Sequence, residues 1–312
     1  MLWIFLAIGA QVINAVVALI DKYIVSDENV LPRPFVYAFY TCLLSGGWVI
    51  IYAFSLIPIE VVQNLPLPSF ANIEKPTLEI VALSFLAAYS LFLALVSMFT
   101  GFRQADASDV VPVVGAVSAL ATFGLGYFFL DLQLSHNFIY GIILLASGTF
   151  LVSRFRFTPR IAMNAIHAGL FFALHYVSIK GLFTVTAFDN GFFWSRIALV
   201  FFALTLLLVP SYLGKIREQT KKANARAGII VVSSKVLAGV SSILILKATD
   251  LGDVAVVQAL GGLQFIFILL IGILIGHKTP LSCGEGGCRR GEVVQKAAFI
   301  AIISFGLLVL FI

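Results

Sequence analysis

Lys235 stands in a strongly apolar stretch beside Ser233 and Ser234. An ammonium placed there either binds a carboxylate or phosphate, or runs its alkyl stem out toward the water near Lys222. A second apolar stretch carries His167 and His175, the latter followed by Tyr176. Eight residues turn a helix to about 80° out of phase, so the two imidazoles need not share a face. His175 and Tyr176 suit the wall of a binding cavity, with His175 either a buried hydrogen-bonded group or a proton carrier. Gln11 and Asn14, three residues apart, share a helical face; Gln258 and Gln264 nearly do, at about 120°. Such amides either tie helices together or read a polar ligand. Asp109 and Asp253 each precede an apolar run, as helix N-caps at a membrane surface or as the entrance to a proton or cation relay. Clustered acids for a metal, or a His-Glu pair on one helix, do not occur, so the inventory is one of binding and not of bond cleavage. No enzyme activity, cofactor or metal is expected.

These groups sit in a chain of 312 residues that is 61% hydrophobic and 11% charged. Soluble domains run at roughly 45–50% and 25%. The charges fall in short gaps between apolar runs of about 20 residues, the length that crosses a hydrocarbon core of about 30 Å. The expected class is an all-α polytopic membrane protein. Its net charge of +5 belongs to loops beside anionic lipid and does not point to nucleic acid.

Ten spans are expected, over residues 2–20, 33–55, 77–101, the run from the Arg103–Asp109 hairpin to Asp131, then 138–152, 161–182, 192–213, 227–246, 252–276 and 294–312. The loop at 56–76 holds Pro58, Pro66, Pro68 and Pro76 and is too broken to span. Two stretches echo one another: Asp109-Val110-Val111-Pro112-Val113 falls on Asp253-Val254-Ala255-Val256-Val257, and each copy continues as a Gly-dotted helix. Pro112 is expected in the first turn of its helix, where its missing N–H costs little. Two five-helix repeats, residues 1–153 and 161–312, are expected from this echo, and an odd number of spans per repeat makes the second inverted relative to the first.

The five-plus-five arrangement, the lysine closing the first helix of each half (Ile20-Asp21-Lys22 and Ser178-Ile179-Lys180) and the duplicated hairpin-helix end of each half resemble the EamA-type transporters of the drug/metabolite transporter superfamily. The resemblance implies a transporter of small metabolites with a central cavity lined mainly by the first, third, fourth, sixth, eighth and ninth helices. It adds a gating or substrate role for Lys22 and Lys180 to their plainer reading as snorkelling side chains. It departs at Asp131, where such proteins commonly carry glutamate, at Gly276-His277 in the second half, and at Arg196, which has no arginine counterpart near Ala38.

Orientation follows from the basic residues. All but Lys75, Lys180, Arg196, Lys235 and Lys247, fifteen of the twenty, fall in gaps after odd-numbered spans. The positive-inside rule makes those gaps cytoplasmic and puts both termini outside. Cys283 and Cys288 lie in one such gap, with His277 near them; they make at most a partial metal site and a disulfide only in an oxidising compartment.

The expected function is therefore an integral membrane secondary transporter of small metabolites, amino acids or related compounds, in the cell membrane. The expected partners are a small-molecule substrate, the lipid bilayer and a coupling proton or sodium ion. Its candidate substrate-binding residues are Lys235, His175, Tyr176, Asn14, Gln11, Gln258 and Gln264. Gating or relay candidates are Asp109, Asp253, Lys22, Lys180 and Arg196. Nucleotide sugars or other phosphorylated metabolites, favoured by Lys235 and Arg196, and a non-transporting assembly role are the alternatives.

Overall fold

The computed structural model describes residues 2–28, 30–56, 68–131, 136, 139–144, 147, 158–222, 225–275 and 309. Its elements are α1 (Leu2–Ser26), α2 (Pro34–Gly46) with a 3₁₀ continuation (Gly47–Leu56), a short 3₁₀ turn (Phe70–Asn72), α3 (Leu78–Gln104), α4 (Ala107–Leu130), α5 (Pro159–Val185), α6 (Phe188–Leu206), α7 (Pro210–Lys222), α8 (Ala225–Leu251), α9 (Val254–Ala259) and α10 (Gly262–Ile275). Among the described residues no strand occurs. Among the described residues six segments are long and apolar enough to cross a membrane: α1, α2 with its continuation, α3, α4, α5 and α8. The pair α6 and α7 makes a seventh if counted as one bent span. The expected spans at 138–152 and 294–312, and Cys283 and Cys288, lie mostly or wholly outside the described residues.

Local chemistry sets the helix ends. The Thr77 and Thr158 hydroxyls accept from the amides of Ile80 and Ile161, and Pro159 occupies the first turn of α5, where no N–H is required. Asp131 stops α4 in the left-handed region, φ 49°, which short polar side chains tolerate better than most. Apolar side chains such as Phe5, Phe128, Phe129 and Ile229 stand on the outside of the bundle, where a bilayer and not water is the matching solvent.

Three expectations are corrected. The 252–276 span, described to Ile275, is regular only in part: α9 ends at Ala259, and a two-residue turn at Leu260 and Gly261 leads into α10 without a marked bend. Residues 215–222 are not a loop, because Pro210 opens α7 after a bend of 97°. That helix buries Ile216 and Gln219 against the bundle end, pairs Glu218 with Arg33 at 2.8 Å and brings Thr220 within 2.6 Å of the Tyr40 hydroxyl. Third, α4 starts one turn early. Asp106 is its N-cap, Asp109 lies in its first turn, and Pro112 lies beyond that turn, where it removes the bond that Ser108 C=O would accept.

In the packed bundle α1 runs along α8, α5 runs along α3 and α4, and α2 lies on α6. The α4 helix also meets α9 and α10, and α10 meets α1. A wall of helices from both ends of the chain thus surrounds a centre.

Candidate functional site

At that centre lies a cavity of about 210 Å³. Helices α1 to α6 and α8 to α10, with the turn between α9 and α10, contribute to its lining. The expected set of lining helices lacked α2, which supplies Thr41 and Ser45, and α6, which supplies Arg196. Gln11, Asn14, His175, Tyr176, Lys235, Gln258 and Gln264 all line it. Lys22, Lys180, Asp109 and Asp253 do not.

The amides are partly spent on each other's helices. Asn14 Nδ2 reaches Gln11 Oε1 at 3.5 Å, Gln264 Nε2 donates to Asn14 C=O at 3.0 Å, and Ser118 Oγ lies 3.4 Å from Gln258 Oε1. Ser241 Oγ stands 2.6 Å from Asn14 Oδ1 and 3.0 Å from Ala10 C=O. The helix break sits between Gln258 and Gln264. A Cβ at Gly261 would come within 2.8 Å of Gln258 C=O, so glycine permits the tight turn that aims both amides at one space. His175 Nδ1 lies 2.8 Å from Ala87 C=O, which fixes the ring between α5 and α3. His167, by contrast, is exposed on the outer face of α5.

Lys235 neither snorkels nor waits for an anion. Its Nζ lies 3.0 and 3.1 Å from the two carboxylate oxygens of Asp21, with both side chains buried. Ser234 Oγ donates to the same carboxylate at 2.8 Å, and so does the Tyr37 hydroxyl. The ammonium also stands over the rings of Tyr37 and Phe99, 4.5 and 5.6 Å from their centroids. Asp21 is the charged cavity residue that sequence reasoning misses. The charge pattern sets it at a helix end beside Lys22, whereas α1 continues six residues past Ile20, about 9 Å. A signal does exist: a lysine inside a span calls for an acid at the same depth.

Arg196 is different. It is 2% exposed, its Nη1 lies 3.5 Å from Ser242 Oγ, and its guanidinium packs 5.0 Å from the Phe192 ring centroid. Its Nε has no hydrogen-bond partner. Among the described residues no carboxylate lies within ion-pair distance of it. Among those residues, the cavity therefore holds one neutralised pair and one uncompensated cation.

Lys22 and Lys180 perform matching tasks outside the cavity. Lys22 donates to the carbonyls of Phe102 and Ala105, the latter at 2.9 Å, at the α3–α4 hairpin. Lys180 donates to those of Thr249, Asp250 and Gly252, at 2.9, 3.1 and 2.8 Å, at the α8–α9 hairpin. Each ammonium thus satisfies carbonyls left open at a helix C-terminus. Asp253 caps α9 by accepting from Ala255 and Val256 N–H at 2.8 and 3.2 Å. Its structural partner is the N-cap Asp106, not Asp109. Phe102 and Ala105 then correspond to Thr249 and Gly252, a register three residues away from the one the sequence echo suggests.

Fold and cavity together define a multi-pass helical membrane protein built around a chamber whose largely apolar wall carries a few charged and polar side chains. No protein-family model matches the chain, and no curated protein matches it. A solved crystal structure of a protein is similar over 99% of this chain and 96% of that chain, with a TM-score of 0.65 and 15% sequence identity. The likeness covers both chains almost end to end, and at that identity it shows the fold.

Proposed function

We propose that this chain is a secondary transporter of small metabolites in the cell membrane, of the EamA type, working by alternating access between two inverted halves, residues 1–153 and 161–312. The observation that carries this reading is the chamber itself: charged and polar side chains from both halves converge in an otherwise apolar bundle. An assembly protein has no use for such a space, since buried polar groups are costly to keep. The paired arrangement supports two related halves. Each half uses a lysine on its first helix to hold its own hairpin, and α1 lies on α8 as α5 lies on α3.

Size bears on the candidate substrates. About 210 Å³ falls below the roughly 300–1,000 Å³ typical of sites for drug-sized ligands. That favours metabolites of about amino-acid size over nucleotide sugars. The test is uptake or exchange of labelled metabolites by liposomes containing the purified protein. Saturable uptake of an amino-acid-sized compound is expected. Folded protein that moves none of them and binds none of them would leave the assembly role standing.

A further inference from the structure

We propose that the cavity selects small singly charged organic acids, with Arg196 as the anion-binding residue and Asp21–Lys235 as a self-cancelling pair that fixes the charge of the site. The inference rests on the transporter reading and narrows its substrate class. Among the described residues three formal charges line the cavity: Asp21, Lys235 and Arg196. The first two neutralise each other at 3.0 Å, which leaves a net charge of one positive unit on Arg196.

The guanidinium keeps unused hydrogen-bonding capacity beside the cavity that Arg196 lines. Ser242 takes Nη1, while the Nε–H is buried without a partner. Nε–H and the Nη2 amino group share one edge of the guanidinium, the edge that a carboxylate grips with two parallel hydrogen bonds. A buried cation with one donor unsatisfied is costly to maintain, and a bound carboxylate removes both costs.

The same accounting rejects other charge types. The ammonium of a zwitterion needs an acid, and the carboxylate described in the cavity wall already accepts from Lys235, Ser234 and Tyr37. A dianion carries a second charge into a low-dielectric space whose described lining holds no second free cation. Hydroxyl or carbonyl groups on the ligand, in contrast, meet neutral partners in Gln258, Gln264 and Ser118.

The full-length protein in lipid nanodiscs is tested by thermal unfolding with lactate and gluconate as monoanions, alanine and glutamine as zwitterions, succinate as a dianion and glycerol as a neutral probe. Ligand that binds only the folded state raises Tm. Lactate or gluconate is expected to raise Tm saturably and the other classes not. Arg196→Gln is expected to weaken that response by roughly 10- to 100-fold, the loss of a charged hydrogen-bonded pair. Arg196→Lys, which keeps the charge without the fork, falls between. Asp21→Asn makes the site doubly positive and shifts the preference to succinate; adding Lys235→Met restores one positive charge and returns the preference to monoanions.

Equal stabilisation by alanine or glutamine, a monoanion response untouched in Arg196→Gln, or a preference that does not track the charge in the Asp21 variants overturns the inference. If a single variant fails to fold, the wild-type ranking and the double variant decide. Liposome uptake separates the two levels: transport of a zwitterion or neutral probe refutes the monoanion class and keeps the transporter, whereas neither uptake nor stabilisation by any probe refutes both.

Discussion

Asp21 accepts from three side chains at once, so its removal strands more than a lysine. Asp21→Asn leaves the Lys235 ammonium buried beside a neutral amide, and breaking such a pair costs about 3–5 kcal/mol. Asp21→Asn with Lys235→Met, which removes both charges, is expected to recover most of that loss in thermal unfolding. If the single and double variants are equally unstable, packing and not charge holds the site. At this scale the sequence is informative about which residues face the chamber and less so about what they do there. Lys235, His175, Tyr176 and the four amides are legible because polar side chains inside apolar runs need a reason. Asp21 is not, because a charged pair at positions 21 and 22 looks like the end of a span when only Lys22 lies near one. Arg196 reads from sequence as a gating or relay candidate and as support for phosphorylated substrates, and only three-dimensional neighbours reveal that no described carboxylate pairs with it.

Elements are legible by length and hydropathy, while their joints are not. Bilayer-embedded helices tolerate glycine and proline because neighbouring groups satisfy the freed backbone. Gly261-Gly262 therefore gives no clear sign of the break between α9 and α10, and the charged face of α7 masks its apolar one. Helix contact depends on single positions. A Cβ at Gly46 would lie 2.8 Å from Arg196 C=O and overlap Val200, which makes Gly46 the point where α2 and α6 touch backbone to backbone. Gly46→Ala is expected to destabilise by about 1–3 kcal/mol, the cost of overpacking. It should also weaken ligand response, since α6 carries Arg196. Gly124→Ala, where nothing lies within 4 Å, is the control and should be neutral or slightly stabilising. Equal effects of the two on Tm would mean that the α2–α6 contact is not tight in solution.

For the whole molecule, charge asymmetry yields an orientation. With Cys283 and Cys288 replaced by serine, a cysteine at Asn72 is expected to react with a membrane-impermeant thiol reagent in intact cells, and one at Lys221 only after permeabilisation. The reverse pattern would turn the protein over. The sequence echo lays Asp109 on Asp253, three residues away from the N-cap pair Asp106 and Asp253, because apolar residues align about equally well one helical turn apart. The lysine bonds to hairpin carbonyls correct it, and they carry a consequence for assembly. Lys22 closes on residues about 80 positions later in its own half, and Lys180 on residues about 70 positions later in its own. Neither clasp waits for the other half, so each piece can organise its hairpin while the ribosome is still delivering later residues. A gene divided after residue 153 should accordingly yield two fragments that, synthesised together, find one another in the bilayer and copurify. Lys22→Met in the first fragment should lower that yield more than it lowers the yield of the unbroken chain.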